Sequence, residues 1–329
     1  MKNRFGVLIG LIITGVSEPA ITAAAAAGAE TVYNAAYVAE LHTELSNWGR
    51  WGKDDQLGTL NLITPEKRIA ASRLVKSGIS VSLTHPMFKE PTPDSPSALT
   101  HKMVSVPNEN SDWAVDSFEI VFHGLGHTHM DAICHLGHNG AYYNGFPLSG
   151  TTAAGCAKNG IENVSNGIFT RAILMDIPRL KGKKWLEAGT PVMVEDLEAW
   201  EQQAGVRVGS GDAVLIHTGR WVKRAEQGPW EGGYAGLHIT TVKWLKQRDA
   251  AIVGTDGGLD VYPSGVEGVG APVHVLVLSS LGMPILDTMD LTDAAETAAK
   301  LNRWEFLLTA APLRVEGATG SPMNFIGTF

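Results

Sequence analysis

Hydrophobic residues in the second half of the chain follow two periodicities that alternate along the sequence. Short apolar runs that predict strands lie at residues 171–176, 213–217 and 251–255, and segments with helical spacing lie at residues 195–204 and 240–248. Gly205 ends the first of these helices, and Thr240 caps the second. Because strands and helices alternate, this half of the chain predicts β-α units and therefore an α/β fold with a mixed central sheet flanked by helices.

Further elements are predicted in the first half and near the C-terminus. Helices are predicted at residues 66–76, 275–281 and 292–302, and strands at residues 79–83, 117–122 and 306–310, the last of which is expected to be the final strand. Thr64 and Pro65 supply the cap and the first residue of the first helix, which stops at Gly78. Between Glu90 and Asp112, prolines and turn residues predict a long irregular loop, and such loops often form lids or bind ligands.

Histidines are concentrated directly after the predicted strand at residues 117–122. Four of the eleven histidines lie within residues 122–135, and His138 follows. In extended backbone, His127, His129 and Asp131 would point to the same side, because side chains alternate between the two faces of a strand. Two imidazoles and a carboxylate that converge suit Zn²⁺, Mn²⁺ or Fe²⁺ and leave coordination positions for water. We therefore predict that these three residues bind a divalent metal ion, with zinc or manganese expected.

The same cluster contains a candidate for proton transfer. A bound cation lowers the pKa of water toward neutrality and polarises a carbonyl oxygen, as a hydrolytic site requires. His135, four residues after Asp131, would then be free to act as general base and general acid. A lone histidine is usually a surface residue or a satisfied core residue, but the clustering favours the metal site.

The segment Thr128-His-Met-Asp-Ala-Ile-Cys-His135 is similar to the signature Gly-Thr-His-x-Asp-Ala-Pro-x-His of the cyclase family. This family of metal-dependent hydrolases includes bacterial kynurenine formamidase and isatin hydrolase. Similarity to the longer members of the family continues, in order, at residues 48–61, 211–219, 253–256, 272–274 and 320–324. The resemblance covers roughly residues 45–329, and it implies a swivelling β/β/α-type fold, a divalent metal cofactor and hydrolysis of a small substrate.

The sequence departs from the family pattern at the first metal ligand. The family has a histidine four positions before the second ligand, but this position is Leu125 here, with His123 and His127 on either side of it. We predict that His127 replaces the missing ligand, because it stands where the family usually has the side-chain-free glycine. His123 is the alternative if the turn bulges. Ile133 stands in place of the family's proline, and this replacement loosens the turn but removes no ligand.

A second metal site is one of two interpretations of His274 and Asp287. In the kynurenine formamidases that the chain resembles, a histidine in this place and an acidic residue about a dozen positions later complete a second site. The alternative is a single metal, with His274 orienting a metal ligand or the substrate. His217 and Asp256 are slightly favoured as structural hydrogen-bonding groups.

The first thirty residues have the composition of a secretory signal. Lys2 and Arg4 precede an apolar run at residues 5–16, and an alanine-rich stretch with several Ala-x-Ala sites follows. The run is shorter than the roughly 20 residues of a permanent transmembrane helix. We predict a signal peptide at residues 1–27, a single hydrolase domain at residues 28–329, and export to the periplasm or the medium.

The net charge and the cysteine content limit which binding partners and which disulfide bonds are expected. Cleavage after residue 27 would leave 24 basic and 33 acidic residues, a net charge of −9, which disfavours nucleic acid and anionic membranes. Cys134 and Cys156 are the only cysteines, and they could be bonded to each other or remain free. The partner expected is a small molecule, and the nine tryptophans favour an aromatic one, although packing alone could explain them.

The sequence therefore predicts a metal-dependent hydrolase of an amide, lactam or ester bond. The family resemblance implies a homo-oligomer, either a dimer or a tetramer. Two alternatives remain open, namely a periplasmic metal-binding protein without catalysis and a metal-dependent cyclase or dehydratase that uses the same residues.

Overall fold

A nine-stranded mixed sheet is the centre of the fold in the computed structural model, which describes Met1 and residues 31–329. The strands are β1 (Ser80–Ser82), β2 (Thr100–Ser105), β3 (Val115–Glu119), β4 (His129–Asp131), β5 (Thr151–Thr152), β6 (Gly155–Cys156), β7 (Ile168–Asp176), β8 (Pro191–Val192), β9 (Ala213–His217), β10 (Gly236–Leu237), β11 (Ile252–Thr255), β12 (Ile285–Asp287), β13 (Glu305–Ala310), β14 (Gly320–Pro322) and β15 (Ile326–Thr328).

Helices connect many of these strands. They are α1 (Ala35–Glu44), α2 (Pro65–Ser72), α3 (Ile177–Leu180), α4 (Val194–Ala204), α5 (Arg220–Gln227), α6 (Thr241–Gln247), α7 (Pro272–Val275) and α8 (Thr292–Leu301). Helix α7 continues as a π-helix at Leu276–Leu281, and 3₁₀ turns lie at Gly58–Leu62, Ile133–His135, Tyr143–Gly145, Leu148–Gly150 and Ile161–Val164.

The central sheet has the order β1-β15-β13-β7-β9-β11-β12-β4-β14. Strands β7, β9, β11 and β12 are parallel to one another, and both sides of the sheet continue with antiparallel strands. Every residue of β9 and β11 is buried, as expected for parallel strands that are covered on both faces. The predicted α/β class and mixed central sheet are confirmed.

Strand β4 lies between β12 and β14, and its position depends on close backbone approach. Asp131 pairs with Gly320 of β14, and His129 pairs with Asp287 of β12. A Cβ atom at Gly320 would lie only 2.4 Å from the carbonyl oxygen of Met130, so this pairing requires glycine. The C-terminal segment therefore forms one wall of the region that holds the histidine cluster.

Most predicted elements are found within a few residues, but three expectations were wrong. The helix predicted at residues 66–76 ends at Ser72. The loop predicted between Glu90 and Asp112 contains β2, which forms an exposed hairpin with β3 outside the central sheet. The strand at Glu305–Ala310 is not the last one, because β14 and β15 follow it and complete the sheet by long-range pairing that a local pattern does not indicate.

Residues Tyr33–Phe329 form one compact unit. The predicted signal peptide lies outside the described residues, so its cleavage and the domain boundary at residue 28 stay predictions. Among the residues that the structure describes, no helix is both long enough and apolar enough to cross a bilayer.

Candidate metal centre

His129 and Asp131 lie at alternate positions of β4, and both side chains are fully buried on the same side of the strand. His129 Nδ1 lies 2.7 Å from the carbonyl oxygen of His127. Because a carbonyl oxygen only accepts hydrogen bonds, Nδ1 carries a proton, and Nε2 is the nitrogen that a metal could bind in place of a second proton. Nε2 lies 3.3 Å from Asp131 Oδ1, so the nitrogen suited to metal binding faces the carboxylate.

His123 completes this group, although it lies six residues before His129 in the sequence. Its Nδ1 is 2.9 Å from Asp131 Oδ1, and its Nε2 is 2.9 Å from Thr319 Oγ1. The rings of His123 and His129 are edge to face, with their centroids 5.1 Å apart. The potential ligand atoms of His123, His129 and Asp131 all lie within 4.8 Å of one another.

His127 does not join this group, contrary to the predicted convergence of His127, His129 and Asp131. Its Nε2 lies 2.7 Å from the carbonyl oxygen of Ser97 and therefore donates a hydrogen bond away from the centre. The physical reason is that extended backbone begins only at His129, so the alternation of faces does not include residue 127. The geometry favours the alternative, His123, as the third ligand.

A second group of potential ligands shares Asp131 with the first. His274 Nε2 lies 3.2 Å from Asp287 Oδ2 and 3.9 Å from Asp131 Oδ2. His274 Nδ1 donates to Asp260 Oδ2 at 2.5 Å, and the same carboxylate accepts the backbone N–H of Val273. Asp260 thus orients the ring of His274, as carboxylates commonly do for histidine ligands.

The unpartnered atoms of these residues fit a divalent cation. Nδ1 of His123, both carboxylate oxygens of Asp131 and Oδ1 of Asp287 are buried and make no well-directed hydrogen bond among the described residues, although His123 Nδ1 and Asp131 Oδ1 lie only 2.9 Å apart. A buried carboxylate costs several kcal/mol unless a metal or another positive charge compensates it. Imidazole nitrogens and carboxylate oxygens are also the donors that Zn²⁺ and Mn²⁺ accept.

Electrostatics in the centre favour the ionised carboxylate. Burial by itself would raise the pKa of Asp131, but His129 and His123 hold this pKa well below its ordinary value. Burial would lower the pKa of His274, but the carboxylates of Asp287 and Asp260 raise it well above its ordinary value. Without a metal, protons on the imidazoles balance the acidic groups, and a cation would take over this role.

His135 lies beside the centre on the 3₁₀ turn that follows β4. Its ring is stacked on that of His123, with the centroids 3.9 Å apart and an interplanar angle of 11°. Burial is the main effect that lowers the pKa of His135, although Asp131 acts in the opposite direction. A neutral imidazole next to the ligand group is suited to accept a proton.

A cavity of about 390 Å³ opens beside the first group and includes His123 and His127 in its wall. Other lining residues include Arg220, Trp230 and Tyr234. Burial raises the pKa of Tyr234 to about 12, so its phenol is neutral at physiological pH. The cavity is large enough for a small aromatic molecule.

Comparison with known proteins identifies the family. The family model described as "Putative cyclase" matches residues 79–259, more than half of the chain. A crystal structure described as a novel cyclase is 31% identical, with a TM-score of 0.76, and the match covers 88% of this chain and 99% of that one. The chain belongs to the cyclase family. No curated protein matches it significantly.

More distant solved structures share the fold. Isatin hydrolase A from Ralstonia solanacearum is 21% identical with a TM-score of 0.57, and the match covers 80% of this chain and 97% of that one. Isatin hydrolase A from Labrenzia aggregata, bound to benzyl benzoate, is 20% identical with a TM-score of 0.56, and the match covers 78% and 94%.

Sequence analysis missed several residues that shape the site of this cyclase-family protein. Asp260 orients His274, while Arg220, Trp230 and Tyr234 line the cavity. Trp48, Trp51 and Trp113 do not line this cavity. A glycine-rich segment with two aromatic residues, residues 228–234, was the signal that could have indicated the true wall.

Proposed function

We propose that the protein is a metal-dependent hydrolase that cleaves an amide, lactam or ester bond of a small aromatic substrate. The observation that supports this proposal most strongly is the convergence of potential ligand atoms from His123, His129 and Asp131, because His123 Nδ1 and the carboxylate oxygens of Asp131 are buried and make no well-directed hydrogen bond within the described residues. This group lies beside a cavity and beside a histidine that the centre does not use.

His123, His129 and Asp131 would hold the principal cation, for which we propose zinc or manganese. Asp131, His274 and Asp287 would hold a second cation if two are bound. When bound, the cation supplies Lewis acidity that polarises the carbonyl group of the substrate and lowers the pKa of water.

His135 would transfer the proton. Its neutral imidazole would accept a proton from the attacking water and donate it to the leaving nitrogen or oxygen as the bond to the carbonyl carbon breaks. Stacking on His123 keeps the ring next to the ligand group. The hydrogen bond from His129 Nδ1 to the carbonyl oxygen of His127 orients the ring so that Nε2 would bind the metal.

Two observations support an aromatic substrate. Trp230 and Tyr234 contribute aromatic rings to the cavity wall. Val121, Leu125 and two prolines of the same wall make much of the remaining surface apolar. Structures with the same fold are described as isatin hydrolases, one of them bound to the product analogue thioisatinate. Both point to the hydrolysis of an aryl amide or lactam.

Hydrolysis of N-formyl arylamines, isatins and aryl esters by zinc- or manganese-loaded protein tests the proposal. We expect turnover of at least one substrate class, loss of turnover in the presence of a chelator, and recovery when the metal is added back. Tight metal binding without turnover of any member of the panel would instead favour the metal-binding protein without catalysis.

A ring-closing reaction is a second candidate, because a solved structure that is 31% identical over most of the chain is described as a cyclase. The two reactions differ in the fate of water. With the active substrate in ¹⁸O-labelled water, hydrolysis places the label in the new carboxylate, whereas cyclisation with loss of water does not incorporate it.

A further inference from the structure

Arg220 is a buried cation that the proposed chemistry does not use. The whole residue is only 5% exposed, yet it lines the same cavity as His123. Nε and Nη1 of its guanidinium are buried and have no hydrogen-bond partner in the described part of the chain. Burying an arginine in this state costs free energy unless an anion accepts hydrogen bonds from the free N–H groups.

The nearest acidic side chain, Asp94, is already bound to other groups. Its Oδ2 accepts from Nε of Arg224 at 2.7 Å, and its Oδ1 accepts from Thr92 Oγ1 at 2.9 Å and from Arg224 Nη2 at 3.2 Å. Nη2 of Arg220 lies 3.7 Å from Asp94, beyond hydrogen-bond distance. Asp94 therefore accepts hydrogen bonds from Arg224 and forms only a longer ion pair with Arg220, which leaves the guanidinium of Arg220 without a hydrogen-bonded carboxylate among the described residues.

A second carboxylate near Arg220, that of Asp256, holds the backbone rather than the guanidinium. Its Oδ1 accepts from both Thr218 N and Thr218 Oγ1, and its Oδ2 accepts from the backbone N–H groups of Gly219 and Arg220. These bonds fix the start of α5, where Arg220 is the first residue. Asp256 thus determines the position of Arg220, and its hydrogen bonds go to Thr218 and to backbone N–H groups rather than to the guanidinium.

Aromatic rings hold the guanidinium in place. Its central carbon lies 5.0 Å from the ring centroid of Trp221 and 5.7 Å from that of Trp230. Stacked rings restrict the orientation of the planar group and leave the N–H donors at its edge free. Glu231, the other acidic residue of the cavity wall besides Asp94, is exposed to solvent.

We propose that Arg220 binds a carboxylate group of the substrate, so that the substrate is an aromatic carboxylic acid with a hydrolysable bond. This inference rests on the proposed function, because it assumes that the cavity receives the substrate. A planar carboxylate accepts two parallel hydrogen bonds from a guanidinium. One singly charged group also suits one guanidinium whose Nε and Nη1 lack hydrogen bonds within the part of the chain that the structure describes, whereas a phosphate dianion would leave a buried negative charge unpaired.

The first experiment compares benzoate with benzamide, which have nearly the same shape but differ in charge. We expect the metal-loaded wild-type protein to bind benzoate at least about 10-fold more tightly than benzamide in isothermal titration, since hydrogen bonds to charged groups are the stronger ones. Equal affinity for the two compounds would overturn the proposal.

Variants then identify the group that binds benzoate. Arg220→Gln is expected to weaken benzoate binding at least about 10-fold and to leave benzamide binding nearly unchanged, while Arg220→Lys keeps part of the preference. Lys223→Gln removes the same charge from the same helix, at a residue that does not line the cavity, and should bind like the wild type. If Lys223→Gln weakens benzoate binding as much as Arg220→Gln does, the effect is one of net charge and the proposal fails.

A carboxylate could also bind the metal, and His123→Ala distinguishes that case. Benzoate binding that survives in Arg220→Gln but is lost in His123→Ala would place the anion on the metal and overturn the proposal. Because these titrations need no turnover, they test Arg220 even if the protein hydrolyses none of the panel. Conversely, hydrolysis of neutral substrates without a preference for benzoate would sustain the proposed function and exclude the carboxylate site.

Discussion

The imidazole rings of His123 and His135 lie face to face, with centroids 3.9 Å apart. His123 directs Nδ1 at Asp131, whereas His135 belongs to neither group of potential metal ligands among the described residues. This stack places the candidate proton carrier directly beside the candidate metal ligand. It also means that the two roles can be separated by substitution at positions 12 residues apart in the sequence.

His123→Ala is expected to lower metal affinity by more than about 100-fold, because the loss of a group that merely orients a ligand already costs 10- to 100-fold. His127→Ala should retain the metal, since His127 Nε2 bonds to the carbonyl oxygen of Ser97 and not to the centre. Metal content measured by mass spectrometry after gel filtration provides the comparison. Loss of metal from His127→Ala alone would restore the assignment predicted from the sequence.

His135→Gln is expected to lower kcat by about 10²- to 10⁴-fold while the bound metal remains, because general acid-base catalysis contributes that much. His138→Gln is the matched control, since His138 is a nearby histidine with a burial-lowered pKa that belongs to neither ligand group. Steady-state kinetics with metal analysis of both variants decide the point. Equal kcat in His135→Gln and the wild type would exclude His135 as the proton carrier.

Gly320→Ala is expected to lower the free energy of unfolding by about 1–3 kcal/mol, as overpacking does in cores. The added methyl group would lie 2.4 Å from the Met130 carbonyl oxygen and 3.2 Å from the ring of His123. Because the substitution disturbs the pairing of β14 with β4, metal affinity should also fall. Gly270→Ala is the control, since a Cβ there meets no atom within 4 Å and should change neither quantity. Urea unfolding and metal titration measure both effects.

The pair of His217 and Asp176 predicts a pH dependence of stability away from the metal ligands. Nδ1 of His217 lies 3.2 Å from Asp176 Oδ1. Burial alone would lower the pKa of His217, but Asp176 and Asp256 raise it above its ordinary value. A raised pKa in the folded state stabilises the protein below the unfolded pKa of about 6.5, and this contribution is lost as the pH rises through the folded value.

Urea unfolding of the wild type and of His217→Gln between pH 5 and 9 isolates this contribution, because other histidines titrate alike in both proteins. We expect the stability advantage of the wild type to be largest at low pH and to shrink as the pH increases. An advantage that grows with pH would mean that His217 is neutral in the folded protein.

Local sequence patterns were sufficient for the elements of the sheet centre. The apolar run at residues 213–217 coincides with β9, and the helix predicted at residues 195–204 differs from α4 by one residue and ends at Gly205 as expected. These segments are fully buried or strongly amphipathic, so the periodicity of the chain alone identifies them. Strands β14 and β15 were not predicted, because each has only three residues and depends on pairing with distant strands.

The sequence by itself determined the α/β class, the family and the alternation that brings His129 and Asp131 to one side of β4. Only the tertiary structure decided that His123 and not His127 faces Asp131, because the intervening chain turns before the strand begins. It also placed Thr319, Asp260 and Arg220 around the site. These residues come from elements far apart in the chain, and their proximity depends on long-range strand pairing and helix packing that no local pattern contains.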